Sequence, residues 1–324
     1  MTVRKILIWA IRLVILTILY FPVWILGTLA IGGMMPTISS EPGIVSDTSG
    51  MLILGLINTV LIIGIITSSR WYGWRLALLI ALAYYGAFTF ITQVETWYFL
   101  TDLTVSAKLL ARLFLMGLSI PLVYIPLAVL ICNKWKKRDN KFGDKKFLMP
   151  FKQLLLKLGI LAIIYLVIYW LAGYFIAWQN PELRAFYGSP GEIKPFIAHT
   201  FDTFSESPGL ILLQLARGIL FAVIAMPIII GSGVKPWLTG LLVAFLLAVP
   251  HLGHIMPNPL MPVASVRLSH MIETATSTFV FGLIIVWLLH RRHHNVKDLI
   301  SEKQTGIPDA DRQKVSGQPE HTNN

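Results

Sequence analysis

Two glutamates, three histidines and two arginines stand inside otherwise apolar stretches of this chain. Glu95 lies in Thr92-Gln-Val-Glu-Thr96, and Glu273 closes Arg267-Leu-Ser-His-Met-Ile-Glu273. His270 precedes Glu273 by three residues, and His251 and His254 have the same spacing. Residues three apart on a helix share a face. Arg217 sits in a further apolar stretch. Such groups together fit three kinds of chemistry. In one, His251, His254 and His270 bind a divalent metal such as zinc, with Glu273 or Glu95 as fourth ligand or general base. A bound water then ionises near neutral pH. In the second, a desolvated Glu95 or Glu273 activates water without a metal, and His and Arg stabilise the oxyanion. In the third there is no catalysis: Arg217 and Arg267 hold an anionic lipid headgroup or small solute.

What must position these groups is a set of membrane helices. Only 13% of the 324 residues are charged, and the mean hydropathy is +0.69. A soluble domain carries roughly twice that share of charge. Apolar blocks of ~18 or more residues read as membrane helices, which satisfy their own backbone hydrogen bonds. Eight spans are expected, near 6–31, 51–68, 75–98, 107–132, 154–178, 209–231, 237–255 and 263–289. The class is therefore an all-α, polytopic helix bundle over residues 1–297, with a disordered polar tail at 298–324. The apolar run after Arg4 and Lys5 is too long for a cleaved signal, so it is read as a retained first span.

The net charge of +11 does not point to nucleic acid, because the bases cluster at span ends. Arg70 and Arg75, the run Asn133-Lys-Trp-Lys-Lys-Arg-Asp-Asn-Lys141 and Arg291-Arg-His-His294 alternate with loops holding Glu41, Asp47, Asp102, Glu182, Glu192, Asp202 and Glu206. The positive-inside rule then places both termini in the cytoplasm, in a multi-pass cell-membrane protein. Membrane lipids are the expected surroundings. Arg12 snorkels to the surface, and Lys108 and Arg112 meet lipid phosphate. The single Cys132 forms no intrachain disulfide and lies at a cytoplasmic span end.

This topology brings the ionisable residues to one level. Glu95, Arg217, His251, His254, His270 and Glu273 all fall in the outward halves of spans three, six, seven and eight. Charges in a bilayer cost at least ~2.5–3.5 kcal/mol each on insertion scales, so they mark function by default. Arg267, His270, Thr274 and Ser277 form a polar stripe down span eight. Pro250 and Gly253 break span seven beside its histidines, and Pro257-Asn-Pro-Leu-Met-Pro262 makes a tight hairpin. The long loop 179–208 is a candidate lid or an aromatic interfacial segment. Plain packing roles are the alternatives: a Glu273–Arg267 pair, an Arg217–Glu95 pair, and interfacial histidines.

Glu and His brought together from separate helices resembles the glutamate intramembrane proteases of the CAAX-protease and bacteriocin-processing family. That resemblance implies water activation by glutamate. The family carries paired glutamates with a downstream arginine, whereas Val94-Glu95-Thr96 has one glutamate and no matching arginine. No HExxH motif is present.

Short parallels also relate the halves of the chain. Arg12-Leu-Val-Ile-Leu-Thr-Ile-Leu-Tyr20 resembles Lys157-Leu-Gly-Ile-Leu-Ala-Ile-Ile-Tyr165, and Ser106-Ala-Lys-Leu109 resembles Ser265-Val-Arg-Leu268. A parallel 4+4 repeat would relate them by an axis along the membrane normal. The leading expectation is a membrane-embedded hydrolase for a lipid-linked or membrane-inserted substrate, with Glu95, Glu273, Arg217 and Arg267 at its site. The alternatives are a transporter or binding protein and, less favoured, a scaffold subunit.

Overall fold

Apolar runs with no charged break propagate as helix, and the computed structural model has eight long enough to cross a membrane. It describes residues 3–101, 103–137 and 149–290. The spans are Val3–Thr28, Asp47–Ser68, Gly73–Leu100, Ala107–Ile131, Phe151–Ala177, Pro208–Gly231, Pro236–Ile255 and Ala264–Leu289. Each lies within a few residues of the stretch expected for it. The expected tail at 298–324, the Arg291–His294 run, Asp102 and residues 138–141 of the Asn133–Lys141 run fall outside the described residues.

The bundle has two ends. Arg4 and Lys5 and the turns 69–72 and 232–235 lie at one, here the basic end. Residues 29–46, 101–106, 178–207 and 256–263 lie at the other, the loop end. There, two short helices, Pro181–Phe186 and Phe196–Glu206, occupy the longest connection.

The two halves follow one plan of neighbours. Span one packs on two and four, and span five packs on six and eight. Span three packs on four, as seven packs on eight. Across the halves, span two meets seven and span six meets three. Each of these pairings has its counterpart in the other half, as the expected parallel repeat requires. The turns after spans two and six meet at the basic end and exchange reciprocal hydrogen bonds. Arg70 N donates to Gly231 O and Gly233 N to Ser68 O, each at 2.8 Å, around an antiparallel bridge between Ser69 and Ser232. Tyr20 and Tyr165, paired in the sequence parallel, are both buried against the last span of their own half. Tyr20 packs on Tyr124 at 5.4 Å and Tyr165 on Phe281 at 4.9 Å between ring centroids.

Small residues set the closest crossings, because lipid offers no hydrophobic drive to press helices together. A Cβ on Gly282 would lie 2.6 Å from Ala244 Cα, between spans seven and eight. On Gly218 it would lie 2.9 Å from both Ala162 Cα and Tyr165 Cβ, between spans five and six. Three spans also carry a single π-helical turn, at Gly86–Phe90, Ile120–Tyr124 and Gly173–Ala177. Each inserts one residue and turns the helix beyond it by about 100°. The first lies just before the segment that carries Glu95.

Gly282→Leu is expected to destabilise the bundle by more than ~3 kcal/mol, since the colliding atoms are backbone. Gly159→Leu meets nothing within 4 Å and serves as the control. Thermal unfolding in detergent measures both; equal melting temperatures would contradict the close crossing.

Candidate active site

Span three delivers Glu95 about five residues below the loop end, or ~8 Å at helical rise. Spans six and eight deliver Arg217 and Glu273 nine residues from their first residues, or ~14 Å. There the side chains form a continuous chain. Arg217 Nη2 donates to Glu95 Oε2 at 2.8 Å, and Arg217 Nη1 donates to Gln214 Oε1 at 2.9 Å. The other Glu95 oxygen, Oε1, faces His270 Nε2 at 3.7 Å. His270 Nδ1 lies 3.1 Å from Glu273 Oε2. The imidazole is thus held between two carboxylates from different spans, and one of these is anchored by a buried guanidinium. Glu95, Arg217, Gln214 and Glu273 are all buried.

The cluster has a floor and a roof. On its basic-end side, Tyr165 and Phe221 lie 5.6 and 5.8 Å from the Arg217 guanidinium, and Phe281 packs on both rings. All three are buried. Cation–π attraction there supports a charge that lipid would reject. The roof is the start of the long loop. Asn180 Nδ2 donates to Ser265 Oγ at 3.2 Å and Ser269 Oγ at 2.9 Å, and Glu182 accepts from Ser265. Arg184 holds the turn by donating to Trp178 O and Gly191 O. This seats Tyr187 within electrostatic range of Glu95 and Glu273, and burial drives its phenol well above the usual value.

Span seven closes the side. The α-helix ends at Ala248 and continues as a 3₁₀ segment, Val249–Ile255. That is the break expected from Pro250 and Gly253. Side chains three apart nearly eclipse in a 3₁₀ helix, so His251 and His254 align. The His254 ring meets the His270 ring edge-on at 5.5 Å. His251 is buried within electrostatic range of His270 and Arg217. Span five contributes Gly173 of its π-turn, which packs beside Glu273: a Cβ there would lie 3.6 Å from Glu273 Oε1.

Glu95, Arg217, His251, His254, His270 and Glu273 therefore come together as expected. Arg267, grouped with them in the sequence reading, does not join them. It also forms no pair with Glu273. Its guanidinium donates instead to Met261 O, Pro262 O, Ser40 Oγ, Glu41 O and Pro42 O, at 2.7–3.0 Å. Near a helix N-terminus, a buried cation reaches the carbonyls of the two adjoining loops more readily than a carboxylate a turn and a half below.

Among the described residues no three His, Cys, Asp or Glu side chains are arranged to hold a metal. His270 directs both ring nitrogens at carboxylates and so lacks a lone pair turned toward the other histidines. Gln214, Gly173, Tyr165 and Tyr187 escaped the sequence reading. Gln214 had a usable signal, since it stands three residues before Arg217 and shares its face.

Gln214 Nε2, Arg217 Nε and His254 Nδ1 are buried without a protein partner. Buried polar atoms are nearly always hydrogen-bonded, so these are the ones open to a polar guest. No family model, curated protein or solved structure is similar enough to this chain to count as a match.

Arg267→Ala is expected to lower stability by about 3 kcal/mol, because one charge serves five acceptors. It should also expose residues 36–46 to proteolysis while Glu95 and His270 remain in contact. Unchanged proteolysis would refute the clamp. Further along the loop, His199 packs among Tyr174, Trp178 and Trp170 at 5.4–6.5 Å. Burial lowers its pKa below 6.5, opposed by Asp202 and assisted by Lys194. The unfolded segment then binds more protons than the packed one as pH falls through 6.5. The packing is complete above that value and weakens below it. Tryptophan emission should report detachment of Phe196–Glu206 on acidification, and His199→Phe should remove the transition.

Proposed function

We propose that the protein is a membrane-embedded hydrolase whose site opens toward the extracytoplasmic leaflet and acts on a lipid-linked or membrane-inserted substrate. The observation that carries this reading is the position of His270 between Glu273 and Glu95, with Arg217 anchoring Glu95. The asymmetry of lysine and arginine between the two ends supports cytoplasmic termini, with the loop end outside the cell.

The chemistry follows from the geometry. Glu273 Oε1, the oxygen turned away from His270, takes a proton from water. The resulting hydroxide attacks the scissile acyl or phosphoryl centre. At 3.7 Å, His270 Nε2 is too far from Glu95 for a hydrogen bond. Its N–H therefore turns to the substrate oxygen, stabilises the developing charge and passes its proton to the leaving group. The bond to the leaving group breaks, and one water is consumed. The proton gained by Glu273 is then released to water, and His270 Nε2 takes one up from water, which resets the pair. Arg217 is a positioning residue: it anchors Glu95 beside the imidazole.

The carrier reading required Arg217 and Arg267 to hold an anion. The Nη atoms of Arg217 face Glu95 and Gln214 and those of Arg267 face loop carbonyls, so most of each guanidinium is already met by the protein. The buried floor of Tyr165, Phe221 and Phe281 gives no support to a path toward the basic end.

Glu273→Gln should fold and lose hydrolysis by at least ~100-fold, the usual share of general-base catalysis. Glu95→Gln should lose less, because it weakens the anchor of the ring and leaves the general base in place. The assay is release of the water-soluble fragment from labelled membrane lipids and lipid-anchored peptides in proteoliposomes. Full turnover by both variants would end the proposal.

A further inference from the structure

The 3₁₀ segment of span seven has a second lined face. His251 and His254 turn to the charged cluster, while Pro250, Gly253 and Met256, again three apart, turn to a cavity of about 130 Å³. Its other walls are Tyr20, Phe21 and Trp24 of span one, Met51, Leu54 and Asn58 of span two, and Phe88 of span three. Met51 lies four residues, or ~6 Å, from the loop-end start of its span, and Asn58 lies ~17 Å in. The cavity therefore runs through the same half of the bundle as the cluster. Phe21, Trp24, Met51 and Leu54 are only half-buried, so the cavity opens between spans one and two on the surface that meets lipid.

We infer that this cavity seats the hydrocarbon chain of the substrate. Calling the occupant the substrate rests on the hydrolase reading; that a chain enters the cavity does not. Aromatic rings and methionine thioethers dominate the wall, and Met is the side chain best able to mould to an irregular apolar guest. The Asn58 carboxamide is already engaged, accepting from the Tyr84 hydroxyl at 2.8 Å and donating to Leu54 O at 2.8 Å, so it asks little of a guest. An apolar cavity of ~150 Å³ takes a six-carbon guest, and this one has nearly that size. At this depth, the medium at its mouth is acyl chains. The two faces of one short helix then put a lipid tail and the reacting headgroup within a single turn of each other.

Gly253 supplies the test, because a Cβ there meets no atom within 4 Å and a side chain can grow into the cavity without collision. The protein is placed in vesicles of phosphatidylethanolamine and phosphatidylglycerol containing a phospholipid with a photoreactive diazirine at the end of one acyl chain. After irradiation, labelled residues are mapped by peptide mass spectrometry. Met51, Leu54 and Met256 should label. In Gly253→Leu their labelling should fall about tenfold, the effect of losing roughly two buried methylenes. Gly253→Ala should be intermediate and guards against misfolding. Ile163 and Val167, which lie exposed on span five, should label equally in all three proteins. Isoprenyl phosphate added to the vesicles separates sources: displacement of the label assigns an isoprenoid chain, and no displacement an acyl chain. Glu273→Gln should keep the wild-type pattern, so a failed hydrolase assay leaves this result readable. Absent labelling of the cavity residues in wild type, or labelling indifferent to both Gly253 substitutions, would overturn the inference.

Discussion

The pairing of Arg217 with Glu95 is the constraint on which the rest of the bundle depends. A guanidinium about 14 Å into a membrane span has no water to turn to. Coulomb attraction alone does not repay its desolvation, and a buried pair is tolerated only when further partners complete it. Here Gln214 takes one nitrogen, and Tyr165 and Phe221 present ring faces. These partners come from spans five and six, while Glu95 comes from span three. The charge therefore fixes the distance between the halves at this level, as the reciprocal hydrogen bonds between Arg70, Gly231, Gly233 and Ser68 fix it at the basic end.

The near-two-fold plan makes the asymmetry of the contents informative. Span five in the second half places Tyr165 against charged neighbours. Span one in the first half places Tyr20 among hydroxyls. Tyr20 and Tyr84 lie 3.4 Å apart, Tyr84 donates to Asn58, and Thr59 meets Tyr124 at 2.9 Å. Equivalent walls thus enclose a neutral network beside an apolar cavity in one half and a charged chain in the other. The 3₁₀ segment of span seven stands between them. A regular α-helix would spread residues 250–256 over all its faces. Three residues per turn sorts them instead into an apolar row and an imidazole row.

Much of this was legible in the sequence for a simple reason. Lipid forces long apolar runs into helices, so eight spans and their rough limits follow from composition alone. The same force makes each intramembrane charge conspicuous, and alternating helix directions turn sequence position into depth. That is why Glu95, Arg217, His270 and Glu273 were identified as one layer. Depth does not give azimuth, however. Arg267 shared the stripe of His270 and Thr274, yet its first-turn position let it reach Glu41, Pro42, Met261 and Pro262 instead. The π-turn at Gly173 and the placement of Tyr187 depend on contacts between spans that no local pattern encodes. Three histidines at one depth likewise say nothing about where their lone pairs point.

The direction of His270 then bears on what kind of chemistry the layer can support. A histidine offered to a metal presents one lone pair and fixes its other nitrogen with a single partner. His270 instead has a carboxylate at each nitrogen, one at hydrogen-bond distance and one beyond it. That inequality makes the ring useful for proton movement, because a tight contact on one side and a loose one on the other give the proton a direction. On the proposed hydrolase reading, Glu95 is held by Arg217 and does not compete for the Nε2 hydrogen. Exchanging which carboxylate was anchored would then tie up the nitrogen proposed to face the substrate. The arrangement sets one anchored acid and one unanchored acid on either side of the ring.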